Sequence, residues 1–127
     1  MSDEDFVEAT TVSPLFVTGA NSINVIEAKQ LYDRGVVFID VRDKSTDWGM
    51  GHIKGAISLD WVAKFTEEAL RDAINRDEPV VIHCAGPGCF RSSRAVEKAV
   101  SWGYTNIYYF RGGFTAWKIA GYPFESD

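Results

Sequence analysis

The chain has 127 residues, of which 46% are hydrophobic and 13% aromatic, and its formal net charge is −5 at pH 7. This length predicts one domain, and the hydrophobic fraction is ordinary for a globular protein. The acidic balance argues against nucleic acid as a partner, because a nucleic-acid-binding surface is normally basic. No apolar run reaches membrane-spanning length, so no membrane partner is predicted.

The N-terminal segment is polar and acidic. We interpret residues 1–21 as an N-terminal arm and residues 22–124 as the folded domain. The arm lacks the basic-then-apolar order of a secretory signal, so the chain as written is expected in the cytoplasm. If a signal peptide has been removed ahead of the arm, the expected compartment is the periplasm. No residue pattern specifies an oligomeric state.

The first half of the domain contains a capped helix followed by apolar strands. Asn24 and Glu27 have the spacing of a capping box, which predicts a helix that Gly35 ends. The continuous apolar run over residues 36–41 predicts a strand in a sheet covered on both faces. A polar loop follows this run, and residues 56–59 are a second short strand candidate.

The second half continues the alternation of helices and strands. Strands are predicted at Val80–His83 and Ile107–Phe110, and helices at residues 61–75, 91–102 and 114–120. This alternation predicts an α/β fold with a central, mainly parallel sheet and right-handed crossovers. Ligands of open parallel sheets bind beyond the carboxyl ends of the strands.

A cysteine lies at one of these carboxyl ends. Cys84 is followed by a Gly/Pro loop and then by the basic, serine-rich start of the 91–102 helix. A thiol reacts as a nucleophile only when ionised, and a free cysteine with a pKa of ~8.5 is mostly protonated at neutral pH. A buried structural cysteine is the alternative interpretation. The Gly-Pro-Gly loop and the following Arg-Ser favour a thiolate held by backbone N–H groups.

Three features predict a lowered pKa for Cys84. The following helix is expected to point its positive dipole end at the sulfur, the loop amides are expected to form an anion-binding nest, and Arg91 and Arg94 add positive charge nearby. Gly86 and Gly88 are expected to adopt the positive φ angles that turn successive amides inward. The predicted substrate-binding residues are Ala85, Gly86, Gly88, Cys89, Phe90, Arg91 and Ser92.

Cys89 places a second thiol in the same loop. In one interpretation it attacks an oxidised or persulfidated Cys84 and releases the outer sulfur. In the other it only shapes the loop. A disulfide requires Cα atoms within ~7 Å of each other. The spacing of the two cysteines suits neither a redox Cys-x-x-Cys motif nor a zinc finger, and no metal site is predicted.

Polar residues outside the loop are expected to support it. Asp40 and Arg42 lie at the end of the 36–41 strand, where buried charges need partners, so a network between them or with loop amides is predicted. His52 is expected to hydrogen-bond the adjacent backbone, with a catalytic role as the alternative. His83 precedes Cys84 in a strand, so its side chain should point to the opposite face rather than act as its base.

Three segments, in this order, resemble the rhodanese-like family of sulfurtransferases. Residues 39–42 (IDVR) and 51–57 (GHIKGAI) are similar to the family's D-x-R…G-H-I-x-G-A signature. The strand that ends at Cys84, followed by Arg91-Ser92, is similar to the family's active-site loop. Residues 110–123 (FRGGFTAWKIAGYP) are similar to its closing G-G-x-x-A-W…G-x-P segment.

The resemblance covers about residues 22–124 and implies a three-layer α/β sandwich. It implies that Cys84 takes a sulfane sulfur from a small anionic donor such as thiosulfate, forming a persulfide. The persulfide then passes the sulfur to cyanide or a thiol. No metal or organic cofactor is implied. Six residues, 85–90, separate Cys84 from Arg91, which is longer than the usual single-domain pattern and suggests a wider ring.

Two other functions compete with sulfur transfer. A cysteine phosphatase of the cell-cycle type shares the fold, but its loop needs a shorter Cys-to-Arg spacing, and no acidic leaving-group donor is evident. The second alternative is a redox-sensing or partner-binding module that uses Cys84 and Cys89. The intact Cys84 argues against an inactive domain.

Overall fold

The computed structural model describes residues 13–126. The first twelve residues of the predicted arm, including its acidic start, lie outside the described part. The strands and helices, in chain order, are β1 (Asn21–Ser22), α1 (Val25–Asp33), β2 (Val37–Asp40), β3 (His52–Ile53), β4 (Ile57–Ser58), α2 (Glu67–Ala73), β5 (Val80–His83), α3 (Arg91–Ser101), β6 (Ile107–Phe110), α4 (Gly113–Ile119) and β7 (Phe124–Glu125).

The central sheet has five strands in the order β1-β6-β5-β2-β4, and all of its neighbouring strands are parallel. β5 is the middle strand, paired with β2 on one side and β6 on the other. β3 and β7 form a separate antiparallel pair. Because Cys84 directly follows β5, it lies at the centre of the carboxyl edge, as predicted for a ligand site.

Helices cover both faces of this sheet. Val80 and Ile82 belong to a core cluster shared with α2 and α3, whereas Val81 packs in a second cluster with Ala28 of α1 and Trp117 of α4. Side chains of a strand alternate between the two faces, so a fully apolar strand is buried on both sides. The predicted three-layer α/β arrangement is confirmed.

The capping box at the start of α1 is also confirmed. The Asn24 side chain accepts the Glu27 amide at 2.8 Å, and the Glu27 carboxylate accepts the Asn24 amide at 2.9 Å. These two bonds satisfy backbone donors that have no partner inside the helix.

The predicted helix over residues 61–75 is much shorter in the structure. Only Glu67–Ala73 is α-helical, and the hydroxyl of Thr66 caps it by accepting the amide of Ala69 at 3.1 Å. Ahead of it, the Asp60 carboxylate accepts the backbone N–H two residues later at 2.8 Å. Such side-chain bonds compete with helical hydrogen bonds, so the chain turns before α2 begins.

Candidate active site

The loop after β5 is held by the start of α4. The carbonyls of Cys84 and Ala85 accept the amides of Phe114 and Thr115, each at 2.9 Å. Gly113 has φ +63°, and a Cβ there would overlap the Cys84 carbonyl oxygen. Only glycine lets the backbone of α4 come this close, which is a physical reason for the second glycine of the Gly-Gly pair.

A tight turn folds the loop back on itself. The Cys89 amide donates to the Gly86 carbonyl at 3.0 Å, across Pro87 and Gly88. The prediction of positive φ angles at Gly86 and Gly88 is wrong, because neither has one. Pro87 is the second residue of the turn and Gly88 the third, and the absence of a positive φ at Gly88 is a feature of type I rather than type II turns. The turn returns Cys89 to the neighbourhood of Cys84.

The Cys84 sulfur is buried in this loop. Its residue is 1% exposed, and its Sγ lies 3.2 Å from the Ser92 hydroxyl and 3.5 Å from the Cys89 carbonyl oxygen. The Ser92 backbone N–H also donates to it, and the Cys89 side chain contacts it. The start of α3 therefore faces Cys84, as predicted.

Two other backbone amides point at the sulfur of Cys89. Cys89 is half-buried, and the backbone N–H groups of Arg91 and Ala85 donate to its Sγ. The charge of Arg91, which is itself half-buried, also favours an anion there. The predicted ring of amides is thus divided between two sulfur atoms.

This division separates the acidities of the two thiols. The hydrogen bond to Cys89, together with burial, raises the pKa of Cys84 above its ordinary value. The hydrogen bond from Cys84 and the amides of Arg91 and Ala85 lower the pKa of Cys89 to about 6. The prediction of a lowered pKa for Cys84 is therefore wrong for the reduced dithiol. The longer loop places a second sulfur where these amides point, so the two thiols titrate as a pair that shares one proton, and the amides favour the anion on Cys89.

The predicted Asp40–Arg42 pair is confirmed. The two side chains are buried and joined by several hydrogen bonds, including Arg42 Nη2 to Asp40 Oδ2 at 2.8 Å. Arg42 also donates to the Gly51 carbonyl at 2.7 Å. Burial opposes ionisation of Asp40, but the neighbouring His83 and Arg42 lower its pKa overall. The pair ties the end of β2 to the segment before β3.

Both histidines have structural positions. His52 Nδ1 lies 2.8 Å from the Trp48 carbonyl oxygen, and its Nε2 lies 3.3 Å from the Glu125 carboxylate, so the predicted backbone bond is confirmed. His83 is fully buried on the face opposite the Cys84 side chain, as predicted. Burial lowers the pKa of His83, and the charge of the neighbouring Asp40 opposes this shift.

A family model for the rhodanese-like domain matches residues 24–120, which include Cys84 and the whole loop. The chain belongs to the rhodanese-like domain family. A thiosulfate sulfurtransferase GlpE of Pseudomonas fluorescens is 36% identical over 100 residues, covering 77% of this chain and 84% of that protein. These findings confirm the expected family and the expected enzyme class, a rhodanese-type sulfurtransferase.

Solved structures agree with this assignment of the fold. The rhodanese-like domain of the Alr3790 protein from Anabaena sp. has a TM-score of 0.70 and 26% identity, covering 84% of this chain and 79% of that chain. A Rhodopseudomonas palustris protein of unknown function, named a possible tyrosine phosphatase, has a TM-score of 0.68 and 28% identity. The match covers 85% of this rhodanese-like chain and 86% of the Rhodopseudomonas palustris protein.

The last part of the arm braces the active-site loop of this rhodanese-like domain, a contact that the sequence did not predict. The Ser13 amide and hydroxyl donate to the Pro87 carbonyl at 2.7 and 3.0 Å. Tyr109 donates to the Pro14 carbonyl at 2.8 Å, and Arg111 donates to the Ser13 carbonyl at 3.2 Å. No periodicity or motif marks residues 13 and 14, so only the tertiary structure reveals this brace.

The two predicted arginines lie in different surroundings. Arg91 acts on the Cys89 sulfur, whereas Arg94 is exposed and lines a surface cavity with Trp61 and Glu97. Phe90 is half-buried, and its carbonyl accepts a hydrogen bond from the hydroxyl of a serine in the first turn of α3.

Within residues 13–126, no cluster of three or more histidine, cysteine and acidic residues is arranged to hold a metal. The same residues include no helix long and apolar enough to cross a membrane.

Proposed function

We propose that this rhodanese-like domain transfers a sulfane sulfur from thiosulfate, or a similar small anionic donor, to cyanide or a thiol through a persulfide on Cys84. The observation that carries the proposal is the position of the Cys84 sulfur at the end of the central strand, against the start of α3 and beside a second sulfur. The relatives named thiosulfate sulfurtransferase support the choice of donor.

The loop favours anionic sulfur despite the net charge of −5. The amides of Ala85, Arg91 and Ser92 donate to the two sulfurs, and the Arg91 guanidinium adds positive charge. Fixed donors of this kind stabilise a negative charge that forms during a reaction, because they need no reorganisation. The outer sulfur of a persulfide and the departing sulfite are both anionic.

Cys89 can serve as the base for the first step. The thiol of Cys84 loses its proton to the Cys89 anion that contacts it. The Cys84 sulfur then attacks the sulfane sulfur of thiosulfate, the S–S bond of the donor breaks, and sulfite leaves with the bonding pair. Total charge is conserved, because the negative charge of Cys89 reappears on the outer sulfur of the persulfide.

The second step returns the enzyme to its starting state. Cyanide attacks the outer sulfur, thiocyanate leaves, and the Cys84 sulfur regains its proton from Cys89. The carbonyls of Cys84 and Ala85 stay bonded to α4, so the loop is rigid where the sulfur is carried.

Phosphate ester hydrolysis is the competing function, favoured by the name of the Rhodopseudomonas palustris protein. A phosphatase loop needs its amides free to bind phosphate oxygens. Here the amides of Ala85 and Arg91 donate to the Cys89 side chain, which therefore fills part of such a site. The arrangement accordingly supports sulfur transfer over phosphate hydrolysis.

The test measures thiocyanate formed from thiosulfate and cyanide by the reduced protein. The wild-type chain is expected to turn over, and Cys84→Ser is expected to fall to the uncatalysed background while keeping its thermal unfolding transition. Hydrolysis of an aryl phosphate is measured in parallel. Absence of thiocyanate from the wild-type chain, or phosphatase activity that disappears in Cys84→Ser, would overturn the proposal.

A further inference from the structure

Cys89 is positioned to react with the sulfur of Cys84 itself. The Gly86–Cys89 turn folds the second cysteine over the first, and the Cys89 carbonyl oxygen lies only 3.5 Å from Cys84 Sγ. The two thiols lie close enough for each to shift the pKa of the other. Both cysteines are free thiols, one buried and the other half-buried. No step of the proposed transfer to cyanide needs a second thiol at this distance, other than as a base.

We propose that Cys89 resolves the persulfide by attacking the inner sulfur, Cys84 Sγ, which expels the outer sulfur as hydrosulfide and closes a Cys84–Cys89 disulfide. This inference rests on the proposed function, because it requires the Cys84 persulfide. The net reaction is reduction of thiosulfate to sulfite and hydrosulfide by the two thiols of the loop. A dithiol, of protein or of small-molecule origin, then restores the reduced enzyme.

The atoms, electrons and protons of this reaction balance. The reduced pair holds one proton and one negative charge, and the proton moves from Cys84 to Cys89 when the persulfide forms. When Cys89 attacks, a new S–S bond forms, the persulfide S–S bond breaks, and the same proton leaves with the outer sulfur. The outer sulfur is reduced by two electrons, which the two cysteine sulfurs supply on becoming a disulfide.

The geometry favours attack on the inner sulfur over transfer of the outer sulfur to Cys89. The turn places the Cys89 carbonyl oxygen 3.5 Å from Cys84 Sγ, and the amides of Ala85 and Arg91 favour the anionic form of Cys89, so the attacking thiol is already a neighbour of the inner sulfur. Closing so short a loop costs little entropy because the turn exists already. A bulky external acceptor has no comparable access, since Cys84 is 1% exposed.

The exposure of the two cysteines also sets the direction of re-reduction. In the disulfide, Cys89 is the half-exposed sulfur that an external dithiol reaches first. Attack by the first thiol of this reductant forms a mixed disulfide at Cys89 and releases Cys84. The second thiol of the reductant then frees Cys89 and leaves as the oxidised dithiol, and one proton is released to solvent.

The test is a single turnover with reduced protein, freed of added thiols, and equimolar thiosulfate. No acceptor is present, because an added thiol would itself release sulfide from a persulfide. Sulfite, sulfide and the intact protein mass are measured together. The wild-type chain is expected to release sulfite and sulfide in equal amounts and to lose the mass of two hydrogen atoms. Cys89→Ser is expected to release sulfite more slowly, to release no sulfide and to gain the mass of one sulfur atom.

The outcomes separate this inference from the function on which it rests. Sulfite without sulfide, with a stable persulfide on wild-type Cys84, overturns the resolving step and leaves sulfur transfer intact. Extra sulfur mapped to Cys89 by peptide mass spectrometry overturns it in favour of a relay between the cysteines. Absence of sulfite overturns the proposed function and this inference together. Cys89→Ala is run beside Cys89→Ser, so that one badly folded variant does not decide the result.

Discussion

Replacing Gly113 by alanine perturbs the junction between α4 and the Cys84 loop. Gly113 has φ +63°, a backbone conformation that costs an L-residue roughly 1–2 kcal/mol. The added Cβ also overlaps the Cys84 carbonyl oxygen and lies 2.8 Å from the Ala85 carbonyl carbon, so helix and loop must separate. Separation weakens two hydrogen bonds, each contributing a net of about 0.5–1.5 kcal/mol. The free energy of unfolding is therefore expected to fall by about 2–5 kcal/mol.

Gly121→Ala is the matched control for this prediction. Gly121 has φ +79°, but nothing lies within 4 Å of its Cβ position, so only the backbone cost of roughly 1–2 kcal/mol applies. Urea unfolding followed by tryptophan fluorescence measures both variants. Thiocyanate formation, measured where both are folded, is expected to fall in Gly113→Ala and to be retained in Gly121→Ala. Equal loss of stability in the two variants would refute the close approach of α4 to the loop.

Three further predictions concern the charges and the brace of the site. Sulfite release from thiosulfate is expected to rise as pH increases through about 6 and then level off, because the pKa of Cys89 is lowered to about 6 and its anion is the base. Asp40→Asn leaves the buried Arg42 charge without its carboxylate. The free energy of unfolding, measured with denaturant at neutral pH, is expected to fall by about 3–5 kcal/mol. Ser13→Ala removes the hydrogen bond from the Ser13 hydroxyl to the Pro87 carbonyl. Its free energy of unfolding, measured by thermal unfolding, is expected to fall by about 1 kcal/mol.

Each of these predictions has its own control. In Cys89→Ser the rise of sulfite release with pH should move to higher pH, and an unchanged profile contradicts the role of Cys89 as base. The pKa of Asp40 is lowered on folding, so its pair stabilises the protein above about pH 4 and less as the pH falls through that lowered pKa. The difference in the free energy of unfolding between wild type and Asp40→Asn must therefore become smaller in acid. Asp33→Asn, in an exposed pair with Lys29, should cost at most about 0.5 kcal/mol. Ser101→Ala, which removes an exposed hydroxyl bond to a carbonyl, should cost less than Ser13→Ala.

The parts of the fold that local patterns specify could be predicted from the sequence. The apolar run of β5 and the capping box of α1 act through residues close in the chain, and both are present in the structure. The prediction of one helix over residues 61–75 was wrong, and the reason is local as well. Asp60 and Thr66 bind backbone amides, so the chain turns where hydrophobic spacing alone indicates a helix.

The glycine assignments failed because the constraint is not local. Gly86 and Gly88 lie in the loop that was predicted to bind anions, which made them the natural candidates for left-handed conformations. The turn through Pro87 needs no such conformation, and the left-handed glycine that shapes the loop is Gly113, which follows it by more than twenty residues. Its requirement arises only when α4 packs against the Cys84 carbonyl, a contact between distant parts of the chain.

The chemistry of the loop depends on a similar non-local detail. Loop length alone indicated a wider ring, and the expectation that its amides lower the pKa of Cys84 followed from treating the ring as centred on one sulfur. In the structure the additional length carries Cys89 back into the ring, where it receives two of the amides and contacts Cys84. The turn that accommodates the longer loop is thus also what places the second cysteine beside Cys84. Replacing Cys89 by serine in the loop of full length should therefore remove sulfide release and shift the pH dependence of sulfite release, while sulfur transfer to cyanide through Cys84 becomes slower but is not lost.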